Sequence, residues 1–552
     1  MDPVNTLRFP IPKLALWLFS SLAPMGCHLV APTTANDAAA SVGQGLRWEG
    51  AFTAQKAQAQ PYAAVEVEVR FTGPNGATFQ VPAFWDGERG FRFRAAFPAA
   101  GLWRWQSTCH DPTDAGLHGR SGEVRVSAYT GDNPWYRHGD LRVSADRRYL
   151  VHADGTPFLW LGDTGWNVAW KSTVADWQHY VDTRARQRFN VLQIVATGLG
   201  SRTAPPPGRT PFRADGTPDE VVWRELEDKV AYANDRGLIV MLTGIGRSHA
   251  GHAEPQRAPA FARWLAGRFA SHFVIFSPSM DQRIDAQNEE AGARLRPLTP
   301  HLVTQHPGTH FETAKKYHDA GYTHFTGLQT GHHGGKLDRA YDAARAWTLE
   351  LWQRPPVKPV INVEAMYDAH GHDHAPNWRE QDVRKLGWIT WLSGARGYTY
   401  GAGDVPPKVP GAAGGVWLFN TNPDAYDHWR KAVEWPSASQ MTHLRDFFSG
   451  IEWWRLTPAP ELIKNQTGDV LRKMAASRSA AGDLLVAYLP DNAEIVLDLT
   501  SLPPGLTGRW FNPVTGRSID VVEALSPRPG ATFRRPAGWS DAVLLVTKAN
   551  RS

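Results

Sequence analysis

Eight short apolar runs, each giving way to a longer helix-like stretch, limit what this chain can become more than any other feature. The runs are Phe158–Gly162, Val191–Val195, Leu238–Leu242, Phe273–Phe276, Leu302–Gln305, Thr326–Gln329, Val360–Val363 and Gly397–Tyr400. Helical patterns such as Val174–Arg188, Val221–Arg236, Pro259–Ser271, Phe311–Ala320 and Glu380–Ser393 lie between them. Strands that alternate with helices build a parallel sheet, and eight such units close into a (β/α)8 barrel. The barrel is expected over residues 145–455.

At 552 residues the chain has room for flanking domains. Residues 41–130 read as an N-terminal β-sandwich. Val65–Phe71 alternates polar and apolar positions, Phe91–Arg94 repeats the pattern, and Thr72–Gly76 and Asp86–Gly87 are turn signals. Residues 456–552 return to β and read as a C-terminal β-sandwich, with Leu484–Leu489 and Ala542–Thr547 as strands. The predicted class is therefore α/β: a TIM barrel flanked by two β-sandwich domains. The segment Ser201–Pro218, rich in Pro, Gly and Arg, follows the second barrel strand. It either walls the barrel mouth or runs as a surface excursion.

Residues 1–40 read as a signal peptide and leader. Arg8 and Lys13 precede the apolar stretch Leu14–Cys27, which is short for a membrane span and suits a signal sequence. Two endings compete: cleavage near Ala38–Ala40, or lipidation at Cys27. Either predicts export to the periplasm or the extracellular space, with no transmembrane span. Cys109 is the only other cysteine, so removal of the leader leaves it without a partner in the chain. The net charge of +5 is carried by no basic run or stripe, which gives nucleic acid no footing. The 24 Trp serve two ends, filling cores and stacking on sugar rings.

Two carboxylates stand where apolar strands meet polar loops. Asp281 closes His272–Asp281, and Glu364 closes Lys358–Glu364. Residues just past the strand ends of a parallel barrel face one mouth, where chemistry is done. A carboxyl pair brought together there is suited to cleaving a glycosidic bond. Asp163, after the first strand, is expected to accept hydrogen bonds from sugar hydroxyls; its alternative is a capping or turn role with Thr164. Trp166 is either a sugar platform or a packed-core Trp, and Trp417 is another stacking candidate. Gln329, His332 and His333 end the sixth strand, where a Gln and a His suit hydroxyl recognition or positioning of Glu364. Tyr367 and Tyr400 are expected to line the same cavity. His370-Gly-His-Asp-His374 has a spacing that metals use, but it is read as a substrate-contact or surface loop; no metal or cofactor is assigned.

Several of these segments resemble one family. Pro157-Phe-Leu-Trp-Leu-Gly-Asp-Thr-Gly-Trp166 is similar to the first barrel strand of the apiosidase-like glycoside hydrolases, glycoside hydrolase family 140. Lys358-Pro-Val-Ile-Asn-Val-Glu-Ala-Met-Tyr367 resembles their seventh strand, and Ala395-Arg-Gly-Tyr-Thr-Tyr-Gly401 their eighth. The stretches Ala83–Gly87 and Gly101–Trp105 look like the DUF5060-type sandwich that often precedes such barrels. Two positions depart from the pattern. Ser277-Pro-Ser-Met-Asp281 keeps the acid but not the glycines of Gly-Gly-Asp, and Tyr398 stands where His is expected.

The resemblance implies retention through a covalent glycosyl-enzyme, with Glu364 as nucleophile and Asp281 as acid/base. That route needs carboxyl groups about 5 Å apart. It also implies an oligosaccharide or polysaccharide substrate, with apiose of plant cell-wall pectin as the expected sugar. Two other readings remain open: the same barrel acting on another glycoside, and a carbohydrate-binding surface protein with a catalytically dead barrel.

Overall fold

The computed structural model describes residues 40–197, 210–246, 258–281, 285–333, 336–370, 379–403, 414–522 and 525–548. The leader with Cys27, residues 201–209 of the Pro-rich segment, and residues 371–374 of the histidine-rich loop lie outside the described residues. The eight apolar runs form the strands of one parallel sheet. They are Trp160–Thr164, Val191–Val195, Ile239–Thr243, Val274–Ser277, Leu302–Val303, Thr326–Gln329, Val360–Glu364 and Gly397–Tyr400, here called strands one to eight. Their hydrogen-bonded order is 5-4-3-2-1-8-7-6. Strands five and six meet where the His324 N–H donates to the Val303 carbonyl at 2.9 Å. The central fold is a TIM barrel.

Alternate residues of each strand point to opposite faces. Trp160, Val191, Ile239, Met241, Ile275, Ile361 and Val363 fill the barrel interior. Their neighbours Leu161, Leu192, Val240, Leu242, Val274 and Phe276 pack against the helices. The segment before strand one closes the floor: Trp135 of the short helix Pro134–His138 stacks on Phe273 at 5.3 Å. The helices begin where the sequence offers caps. Asp219 accepts from the Val221 and Val222 N–H groups at the start of Glu220–Asp235, and Thr173 accepts from the Asp176 N–H at the start of Val174–Arg186. Such side-chain acceptors satisfy donors that the first helical turn leaves open.

The N-terminal region forms a five-stranded and a three-stranded sheet around Trp48, Phe71, Phe93 and Phe97. It docks on the barrel helix Ala258–Arg268, where the Trp264 indole N–H donates to the Trp85 carbonyl at 2.8 Å. Buried Arg94 bridges Glu49 at 2.8 Å and Glu227 of the barrel at 2.9 Å. The C-terminal region forms a six-stranded antiparallel sheet with a separate two-stranded sheet. It covers the helix Glu380–Leu392, and Tyr488 stacks on Trp388 of that helix at 5.9 Å.

Candidate active site

The carboxylate of Glu364 lies buried at the end of strand seven, with donors on one oxygen. His332 Nε2 donates to Oε1 at 2.8 Å, and the Tyr367 hydroxyl donates to the same atom. Tyr367 in turn accepts from the Trp166 indole N–H at 3.0 Å. Its ring fits because residue 401 is glycine: a Cβ there would lie 2.1 Å from the ring. His332 reaches Oε1 from a left-handed backbone at φ +67°, a conformation unusual for a residue with a Cβ. Oε2 has no hydrogen bond among the described residues and stands 3.3 Å from His306 Nε2. Burial pushes the Glu364 carboxyl up to about 7. His306 and the Tyr367 hydroxyl pull it down, while the negative charge of Asp281 pushes it up.

Asp281 follows strand four on a left-handed backbone, φ +49°. The turn before it is tied down. The Ser279 N–H donates to Gln305 Oε1 at 2.8 Å, and the Ser279 hydroxyl donates to the His306 carbonyl at 3.0 Å. The Asp281 N–H donates to His306 Nδ1 at 3.3 Å. One buried imidazole therefore touches both acidic residues, the backbone of Asp281 through Nδ1 and the carboxylate of Glu364 through Nε2. With Nδ1 accepting, the ring proton sits on Nε2 and faces the carboxylate. His306 escaped the sequence reading. Its signal was its place directly after the fifth apolar run, where a side chain meets the mouth.

The other expected residues divide. Trp166 and Met280 pack together with Val195, and Trp417 leans on this cluster. Trp166 also meets His306 edge-on at 5.1 Å, and Trp417 lies 5.7 Å from Tyr367. Met280, which replaces a glycine of the family pattern, is thus part of the wall beside Asp281. Gln329 stands in register with Glu364, and its Oε1 is buried with no partner among the described residues. His370 packs 4.3 Å from His332, ring to ring. His333 packs instead on Trp347 at 5.2 Å, and burial lowers its imidazole to about 4.

Asp163 and Tyr400 are not at the mouth. Trp160 faces the barrel interior, so alternation turns Asp163 outward. There it is fully buried, 2.8 Å from Arg184 Nε and 2.6 Å from the Tyr180 hydroxyl, both on the helix Val174–Arg186. Tyr400 also points outward, and its hydroxyl meets the Ser437 hydroxyl at 2.7 Å. Both expectations of sugar contact are corrected: these are polar groups of the strand–helix layer. Among the described residues no group of three or more His, Cys, Asp or Glu is placed to hold a metal ion. No helix among them is long and apolar enough to cross a membrane.

Residues 144–455, more than half the chain, match the family model "Apiosidase-like, catalytic domain". Residues 46–110 match DUF5060, and residues 457–547 match the "Putative collagen-binding domain of a collagenase". Among solved structures, one titled only a glycoside hydrolase is 22% identical, with a TM-score of 0.66 over 77% of this chain and all of that one. A glycoside hydrolase family 5 structure from Bacteroides vulgatus ATCC 8482 is 21% identical, with a TM-score of 0.65 over 76% of this chain and 95% of its own. A second structure from that organism, titled a "putative glycoside hydrolase", is 16% identical, with a TM-score of 0.71 over 92% of this chain and all of its own. Among curated proteins none matches.

Proposed function

Because the chain belongs to the apiosidase-like glycoside hydrolases, we propose that it is an exported retaining glycosidase acting on plant cell-wall pectic glycans. The observation that carries this reading is the asymmetric dressing of Glu364. Oε1 is held by His332 and Tyr367, and Oε2 has no hydrogen bond among the described residues. A carboxylate fixed by one oxygen presents the other as a nucleophile.

In the first step Oε2 attacks the anomeric carbon and the bond to the leaving oxygen breaks. Asp281 gives its proton to that oxygen. Loss of the Glu364 charge then makes Asp281 easier to ionise, as required for the return step. In that step Asp281 takes a proton from water, the water oxygen bonds to the anomeric carbon, and the Glu364 carboxylate departs. Half-buried Trp417, backed by the buried Trp166, offers an aromatic face to a sugar ring, and Gln329 Oε1 is an acceptor for a hydroxyl. The apolar stretch Leu14–Cys27 behind Arg8 and Lys13 supports export.

The test is a panel of pectic and hemicellulosic oligosaccharides, with the product anomer followed by NMR. Retention on an apiose-bearing pectic fragment is expected; inversion overturns the double-displacement route. On the cleaved substrate, Glu364→Gln should lower kcat at least about a thousandfold while the protein stays folded. A variant that keeps the wild-type rate removes Glu364 from the chemistry.

A further inference from the structure

Strand seven breaks its own alternation where it matters. Ile361 and Val363 face the barrel interior, and Val360 packs among the helices. Strict alternation would then send Asn362 and Glu364 to the helix side. The pairing with strand six shifts instead: Leu328 stands opposite Asn362 and Gln329 opposite Glu364, so Val363 has no counterpart. A bulge leaves one residue unpaired and re-aims the side chain after it. Leu328 faces the helices, so Gln329 faces the mouth, and Glu364 shares its side. Ala365 then falls back among the helix-facing side chains.

Side-chain amides hold this irregularity from both faces. On the helix side Asn362 is fully buried. Its amide is assigned from the surrounding bonds: the oxygen accepts from the Thr330 hydroxyl at 2.7 Å, and the nitrogen donates to the carbonyls of Leu328 at 2.9 Å and Glu364 at 3.1 Å. Every hydrogen on that nitrogen is used. From the interior, Gln193 of strand two donates through Nε2 to the carbonyl of Val363 itself. The Thr330 N–H also donates to the Glu364 carbonyl, at 2.9 Å. Two buried side-chain amides thus bond to the carbonyls on either side of the irregularity, at Glu364 alongside a backbone donor.

We propose that Asn362 and Gln193 are positioning residues which fix the bulge and so turn Glu364 from the helix layer into the pocket. The inference rests on Glu364 being the nucleophile. Two variants test it, Asn362→Ala and Gln193→Met, the second close to isosteric but without a donor. In each, kcat should fall on the order of 100-fold with KM within about twofold, because a nucleophile displaced by about 1 Å loses its attack geometry and not its substrate. Near-UV circular dichroism confirms the fold. A purely structural role would lower Tm and leave the kcat of the folded protein unchanged, and that result overturns the proposal.

Crystal structures of the variants read the same geometry without substrate. The 2.8 Å contact between His332 Nε2 and Glu364 Oε1 should open beyond hydrogen-bond distance, and its retention in both variants overturns the proposal. If one variant fails to fold, the other decides. Failure of the function itself looks different: a wild-type protein that cleaves no glycoside, or a Glu364→Gln protein as active as wild type, with the clamp variants still displacing the carboxylate.

Discussion

Burial pushes the Glu364 carboxyl up to about 7, against the pull of His306, the Tyr367 hydroxyl and His370. In its proposed role as nucleophile it must be ionised. The acidic limb of kcat/KM, which reports the free enzyme, should therefore lie near pH 7 and not near the ordinary carboxylate range. Its neighbours give the sign of each perturbation. The Tyr367 hydroxyl stabilises the carboxylate, so Tyr367→Phe should move the limb to higher pH. The Asp281 charge opposes ionisation, so Asp281→Asn should move it to lower pH. An aryl glycoside with a good leaving group keeps the first step measurable in the Asp281 variant, since that step then needs no proton donor. Limbs that stay in place in both variants would assign the titration to another group.

At the scale of elements, the strand ends decide what reaches substrate. The barrel was legible because eight apolar runs recur between helical patterns, and period counting suffices for that. Glu364 and Asp281 were singled out by their place after such runs. Asp163 and Tyr400 were misplaced because position along a strand was weighed and parity was not. Strand one is buried on both faces, so its residues show no polar–apolar contrast from which parity could be read. The inward turn of Glu364 was invisible for a different reason. By parity it belongs with Val360 among the helices, and only the unpaired Val363 reverses it. His306 was passed over because the fifth run is the shortest strand, two residues long, so that its end at Val303 lies two residues before the end of the apolar run at Gln305. The corrected role of Asp163 has a consequence. Arg184→Met would leave a buried carboxylate unpaired, and urea unfolding should show a loss of about 3–5 kcal/mol. The KM of the folded variant should not change, because the pair faces the helix Val174–Arg186 and not the mouth. A raised KM without lost stability would return Asp163 to the site.

Across the whole molecule, the barrel is joined to both flanking regions through buried charge. Arg94 reaches from the N-terminal sheets to Glu227, and Arg268 meets the same carboxylate. On the other side Arg384 of the helix Glu380–Leu392 forms a two-pronged pair with Asp541 at 2.9 and 3.0 Å, and the Tyr488 hydroxyl donates to the same carboxylate at 2.7 Å. That helix is buried continuously from Val383 to Leu392, with the barrel on one face and the C-terminal sheet on the other. It runs directly into strand eight, so the sheet buttresses the wall of the barrel next to strand seven. Such a junction should unfold as one body with the barrel. Asp541→Ala strands the Arg384 guanidinium in a dry interface and should cost about 3–5 kcal/mol. In calorimetry the single transition of the wild type should split, with the C-terminal sheet melting ahead of the barrel. A variant that still melts in one transition at an unchanged temperature would mean that the stack of Trp388 on Tyr488 and its apolar surroundings hold the two together, and that the ion pair only fixes their orientation.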